Sequence, residues 1–181
     1  VAAMKEEGMR YGAAGLPVEF RRDEKRFRIE LAALPKRAGV MKQLGVTRVA
    51  TWLMPGHNEL TYLQNFKQHE TRLREAAKVL KDNDIRLGLE FVGPKTMRAG
   101  KKHEVVHDMP GMFELIGAIN VPCVGLLLDS FHWFTSGGTG AAVTVRGFGG
   151  NTTRPGVSGS SGGNHGVGVL NASSQITSGG G

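Results

Sequence analysis

The chain has 181 residues, 40% of them hydrophobic, and a formal net charge of +7 at pH 7. Its single cysteine, Cys123, excludes an internal disulfide and is typical of the reducing cytoplasm, where we expect the protein to be. No apolar stretch approaches the roughly 18 residues of a membrane span, and basic runs such as 21–28 also contain acids, which favours solvated helix faces over nucleic-acid binding.

Helix and strand patterns alternate from the start of the chain. A helix is predicted after Asp23, and Gly45 ends it. Its apolar residues recur at alternating steps of four and three: Phe27, Leu31, Leu34, Ala38 and Met41. Residues 46–54 follow as a predicted strand. A second helix is predicted over 61–81, with an apolar face of Leu63, Phe66, Leu73, Ala77 and Leu80.

Two later strands each end on a carboxylate. Residues 86–90 end on Glu90, and residues 124–129 end on Asp129. Between them, Asp108 precedes a short predicted helix that runs to Ile119. Strands that alternate with helices predict a parallel sheet joined by right-handed crossovers. The fold class is therefore α/β, with about four parallel strands.

The end of the chain has a different composition. Residues 135–181 hold 15 of the 27 glycines and two arginines, but no lysine, aspartate or glutamate. Such a segment buries too little apolar surface to offset its chain entropy. We therefore expect residues 140–181 to form a disordered Gly/Ser-rich tail.

The two strand-end carboxylates are the first candidates for a metal site. Burial of an acidic residue at a strand end is costly unless a charge compensates it, and a divalent cation commonly does so. His132, three residues after Asp129, could turn into the same pocket. The alternatives are carboxylates paired with a nearby lysine or arginine, and a packed, hydrogen-bonded histidine.

Two further residues are candidates for substrate binding. Lys95 belongs to a basic loop after the Glu90 strand, which could bind a phosphate or carboxylate or could simply be solvated. Trp52, together with His57, lies near the end of the preceding strand. These two residues could line a pocket, or they could be a core aromatic and a surface histidine.

Three segments resemble the sugar phosphate isomerase/epimerase family, whose fold is the xylose isomerase-like TIM barrel. They are Gly15-Leu-Pro-Val-Glu-Phe20, Arg86-Leu-Gly-Leu-Glu-Phe-Val-Gly-Pro-Lys-Thr96 and Val124-Gly-Leu-Leu-Leu-Asp-Ser-Phe-His-Trp-Phe-Thr-Ser-Gly-Gly-Thr139. The resemblance covers residues 1–139 and implies a partial (β/α)8 barrel there.

The resemblance also implies a site. In that family a divalent metal is held by Glu, Asp, His and Glu from successive strand ends, and two glutamates exchange a proton beside a carbonyl. Glu90 matches the first glutamate, as ligand and acid/base, and Asp129 matches the aspartate. His132 matches a histidine that contacts the substrate. The implied metal is Mn²⁺, with Mg²⁺, Co²⁺ or Zn²⁺ as alternatives, and the implied substrate is a sugar, a sugar phosphate or a related hydroxy-carbonyl compound.

Other functions stay open, because the same barrel supports polyol dehydratases and apurinic endonucleases. By the resemblance, the chain holds about strands three to six. The second metal histidine and second catalytic glutamate would follow Thr139, where the tail has no glutamate. We hypothesise that the tail is an out-of-frame or mis-spliced translation and that this polypeptide alone is inactive. A non-catalytic fragment, or copies associating through an exposed sheet edge, are further alternatives.

Overall fold

The computed structural model describes residues 2–138 and 168–171. In chain order, its helices and strands are α1 (Ala2–Glu6), β1 (Ala14–Gly15), α2 (Glu24–Gln43), β2 (Arg48–Trp52), β3 (Gly56–His57), α3 (Tyr62–Lys81), β4 (Arg86–Glu90), β5 (His103–Glu104), α4 (Met109–Ile119), β6 (Val124–Leu128), α5 (Ser130–Thr135) and β7 (Gly168–Asn171). A short 3₁₀ helix, Lys95–Met97, lies between β4 and β5.

The main sheet has the strand order β1-β2-β4-β6-β7, and β3 pairs with β5 in a separate two-stranded sheet. Strands β1, β2, β4 and β6 run parallel, while β7 pairs antiparallel with β6. The α/β class with four parallel strands is thus confirmed. Within the predicted disordered tail, the structure describes the short strand Gly168–Asn171. The rest of the predicted disorder lies outside the described residues.

Side-chain caps start the three long helices where the sequence predicts them. Asp23 accepts a hydrogen bond from the Arg26 amide, and Asp108 accepts one from the Gly111 amide. Thr61 forms a capping box with Gln64 at the start of α3. These bonds satisfy amides that a helix leaves unpaired in its first turn, so local sequence fixes the helix boundaries.

The apolar core lies between the sheet and helices α2, α3 and α4. In β4, Leu87 and Leu89 are fully buried and face the helices, so Glu90 faces the opposite side of the sheet. The other large core residues include Phe27, Leu34, Leu73, Leu80, Met112 and Leu115. Among the described residues, no helix is both long and apolar enough to span a membrane.

The buried face of α3 differs from the predicted one at its start. Leu63 is 76% exposed, because the face that packs inward is set by Asn65, His69 and Arg72. These residues recur at steps of four and three, and Leu63 lies on the other side of the helix from them. The inclusion of Leu63 in the apolar face was therefore wrong.

His69 makes the fold sensitive to acid. Its pKa is lowered from 6.5 to about 3, first by burial and then by the nearby charges of Arg21 and Arg72. The unfolded chain binds a proton at this residue near pH 6.5, so its contribution to stability is full above that pH. That contribution is lost as the pH falls from about 6.5 to 3.

We therefore expect His69 to remove about 3 kcal/mol from the free energy of unfolding between pH 7 and pH 4. Urea unfolding at both pH values should show this loss in the wild type and in a His103→Gln control. The loss should be about 3 kcal/mol smaller in His69→Leu. An equal loss in His69→Leu and wild type would contradict the assignment.

Candidate metal centre

The candidate site lies at the carboxyl ends of β4 and β6. Glu90 is the last residue of β4, and Asp129 directly follows β6. The two strands are parallel neighbours, so their carboxyl ends meet at one edge of the sheet. On the other side of β4, Trp52 at the end of β2 is in register with Glu90. Partners in a parallel pair face the same way, so the Trp52 and Glu90 side chains share one face.

A short helix that the sequence analysis did not predict brings His132 to the same place. Asp129 caps α5, and its Oδ1 accepts hydrogen bonds from the Phe131 amide at 2.7 Å and the His132 amide at 3.3 Å. Since both bonds go to Oδ1, the other carboxylate oxygen makes no hydrogen bond within the described residues. Asp129 can therefore cap α5 and still offer an oxygen to a ligand.

Glu90, Asp129 and His132 form the one cluster in the described part of the chain that could hold a metal ion. Each offers one ligand atom, and these atoms all lie within 4.8 Å of one another. All three side chains are half-buried. The His132 Nδ1 atom is buried and has no hydrogen-bond partner. Two carboxylates beside a nitrogen that lacks a partner fit a divalent cation.

Electrostatics at the cluster also fit a cation. Burial raises the pKa of the Glu90 carboxyl above its ordinary value, because it disfavours the charged form. His132 acts in the opposite direction, and the negative charge of Asp129 raises the pKa of Glu90 further. A bound cation would offset both the burial and the repulsion between the two carboxylates.

The loop after β4 packs directly against α5. A Cβ atom built on Gly93 would lie 2.0 Å from the backbone oxygen of His132, so only glycine fits this approach. Arg98 holds the loop, donating from Nη1 to the Gly93 carbonyl at 2.8 Å and pairing with Glu104 at 3.2 Å. Arg98, part of the predicted basic loop, is thus buried as a structural residue, whereas Lys95 is exposed.

Arg21 is the residue near the site that the sequence analysis missed. The run 21–28 was interpreted as a solvated helix face, but α2 begins only at Glu24. Arg21 lies in the loop before it, with its guanidinium 4.7 Å from the centre of the Trp52 ring. Trp52 itself is 43% exposed and is therefore not a core aromatic. The sequence carries no periodic signal for such a contact, because the loop and the strand end are 31 residues apart.

His57 lies in β3, after the end of β2. Its Nδ1 accepts hydrogen bonds from the amides of Glu59 at 3.0 Å and Leu60 at 2.8 Å. These bonds place the proton of the neutral ring on Nε2. A metal bound through Nε2 would need the other tautomer, so His57 is not suited to be a ligand.

A parallel sheet with acidic residues at its carboxyl ends is the arrangement of barrel enzymes. The family model for the xylose isomerase-like TIM barrel matches residues 1–151, and the chain belongs to this family. Its fold is thus part of a TIM barrel, as the sequence resemblance implied.

Solved structures support this membership. A xylose isomerase domain protein from Alicyclobacillus acidocaldarius subsp. acidocaldarius is 33% identical, with a TM-score of 0.69 over 75% of this chain and 48% of that one. The IOLI protein, solved with a binding zinc atom, is 25% identical, with a TM-score of 0.59 over 72% and 45% of the two chains.

A third structure, 3-keto-D-glucoside 4-epimerase from E. coli, shows likeness of fold alone. It is 15% identical, with a TM-score of 0.58 over 72% and 52% of the two chains. The chain thus spans about half the length of these structures. No curated protein is significantly similar to it in sequence.

Proposed function

We propose that these residues carry part of the site of a metal-dependent isomerase or epimerase that acts on a sugar, a sugar phosphate or a related hydroxy-carbonyl compound. The observation that carries the proposal is the cluster of Glu90, Asp129 and His132 at adjacent strand ends. Support also comes from the zinc atom in the IOLI structure and from the epimerase among the structures of like fold.

Glu90 and Asp129 would hold the metal, which we take to be Mn²⁺, with Mg²⁺, Co²⁺ or Zn²⁺ as alternatives. When bound, such a cation acts as a Lewis acid that stabilises negative charge on a substrate oxygen. Its two oxygen ligands come from a strand end and from a helix cap, both of which are rigid positions. A site on rigid elements keeps its ligands preorganised.

Glu90 would also move the proton. Its carboxylate lies in the candidate metal cluster, and a carboxylate held beside the reacting carbon can act as a general base. In the proposed reaction Glu90 takes the proton from the carbon beside the substrate carbonyl, which gives an enediolate, and returns a proton to that carbon. Return to the same face exchanges the hydrogen, whereas inversion needs a second acid on the opposite face.

The other predicted residues would contact the substrate. His132 would donate a hydrogen bond from its ring to a substrate oxygen. Trp52 shares the face of Glu90 and would cover the apolar side of a sugar ring. Lys95 is exposed after β4 and would bind a substrate phosphate. We place the reaction in the cytoplasm, on the evidence of the single Cys123.

The proposal predicts hydrogen exchange without the full reaction. With Mn²⁺ in D₂O, the chain should exchange the carbon-bound hydrogens of dihydroxyacetone for deuterium, because exchange needs the metal and one base, Glu90, but no second acid. Glu90→Gln keeps the shape but cannot accept the proton, so the rate followed by NMR should fall about 100-fold or more. The control, Glu114→Gln, removes an exposed carboxylate on α4, and its exchange rate should match that of the wild type. Exchange by Glu90→Gln at the wild-type rate would contradict the role of Glu90.

A further inference from the structure

We propose that Arg21 is a positioning residue, which holds the Trp52 ring in the orientation in which it borders Glu90. The proposal rests on the proposed function only in the use of Trp52 as a wall of the substrate pocket. Arg21 does not reach the metal cluster through any described contact, so it would act through Trp52 alone.

The guanidinium of Arg21 contacts two aromatic rings. It is 4.7 Å from the centre of the Trp52 ring and 4.7 Å from that of Phe20. Phe20 is fully buried, and His69 of α3 packs edge-on against it at 5.2 Å. The Phe20 ring is therefore fixed by the core, while the Trp52 ring is half exposed. A cation–π contact with Arg21 restrains the exposed Trp52 ring.

The same guanidinium also holds the backbone of Trp52. Its Nη1 donates to the Trp52 carbonyl at 2.6 Å and to the Thr51 hydroxyl at 3.2 Å. Its Nε pairs with Glu19 at 3.0 Å, so the charge is compensated within the same loop. Arg21 thus joins the loop before α2 to the end of β2, and its planar fork serves both partners at once.

Trp52 lies beside Glu90, so the contact with Arg21 affects the shape of the pocket there. The Trp52 ring has one side against Arg21, it is 43% exposed, and its Cα is in register with that of Glu90. A ring free to change rotamer would alter the space beside the Glu90 carboxylate. The shape of the pocket on this side of the cluster therefore depends on Arg21, a residue that touches none of the three cluster residues.

The test uses the full chain labelled with 5-fluorotryptophan. The chain has two tryptophans, Trp52 and Trp133, which give two ¹⁹F resonances. Trp52→Phe assigns them. The metal-free wild type should show one narrow Trp52 resonance. In Arg21→Met, the share of Trp52 in other rotamers should rise roughly fivefold, the size expected for loss of a partly buried cation–π contact. The control is Arg22→Met, whose side chain is exposed.

Arg21→Lys keeps the charge but loses the planar guanidinium, so it should also shift the Trp52 resonance. If Arg21→Met does not fold, the comparison of Arg21→Lys with the wild type decides the test. An unchanged Trp52 resonance in the folded Arg21 variant would overturn the proposal, as would an equal change in Arg22→Met. Added Mn²⁺ should broaden the wild-type Trp52 resonance and broaden it less in Arg21→Met. No broadening in the wild type would count against the metal site, whereas the metal-free comparison would still decide the role of Arg21.

Discussion

Replacement of Gly93 by alanine is expected to lower the free energy of unfolding by about 3 kcal/mol, the upper end of the cost of overpacking. The added methyl would lie 2.0 Å from the His132 backbone oxygen and 2.8 Å from the Thr135 hydroxyl. The nearest atom belongs to the backbone of α5, so no change of side-chain rotamer relieves the clash. The loop or the helix must move instead.

The same change should weaken metal binding, because α5 carries His132 and begins at Asp129. We expect about a tenfold loss of Mn²⁺ affinity, the size of effect found when the supporting contacts of metal ligands are removed. Gly117→Ala is the matched control, since it adds the same methyl to an exposed position of α4 with nothing within 4 Å. This control should be slightly more stable than the wild type.

Urea unfolding and Mn²⁺ titration of the two glycine variants measure both effects. If Gly93→Ala is as stable as Gly117→Ala and binds Mn²⁺ equally well, the packing of the loop against α5 does not support the site.

The elements that position the site could be predicted because their signals are local. A capping residue such as Asp23 or Thr61 acts within its own first turn, and the apolar run that ends on Glu90 needs no knowledge of its neighbours. The order of helices and strands then implied a parallel sheet, and with it the meeting of Glu90 and Asp129 at one edge.

The features that sequence did not reveal depend on contacts between distant segments. Apolar periodicity placed Leu63 on the buried face of α3, whereas Asn65 and His69 occupy it. The periodicity shows where apolar residues lie around the helix, but it does not show which side of the helix packs against the rest of the protein. The sequence does not distinguish Gly93 from other loop glycines, because the contact that requires glycine there is with α5, a segment distant in the chain. The cap that begins α5 was missed because Asp129 was considered as a metal ligand or an ion-pair partner, and not as a helix cap.

The central claim is that Glu90 and Asp129 bind a divalent metal. The amide variants Glu90→Gln and Asp129→Asn keep the side-chain volume and remove the charge, so each should lose at least about 100-fold in Mn²⁺ affinity. Asp129→Asn should still fold, because an asparagine oxygen can accept the amide hydrogen bonds that cap α5. Glu114→Gln provides the control for loss of an exposed carboxylate.

Isothermal titration of the full chain with Mn²⁺ tests this claim most directly. We predict one site in the wild type and in Glu114→Gln, and no measurable binding in either Glu90→Gln or Asp129→Asn. Binding of wild-type affinity in both amide variants, or no binding in the wild type, would contradict the account.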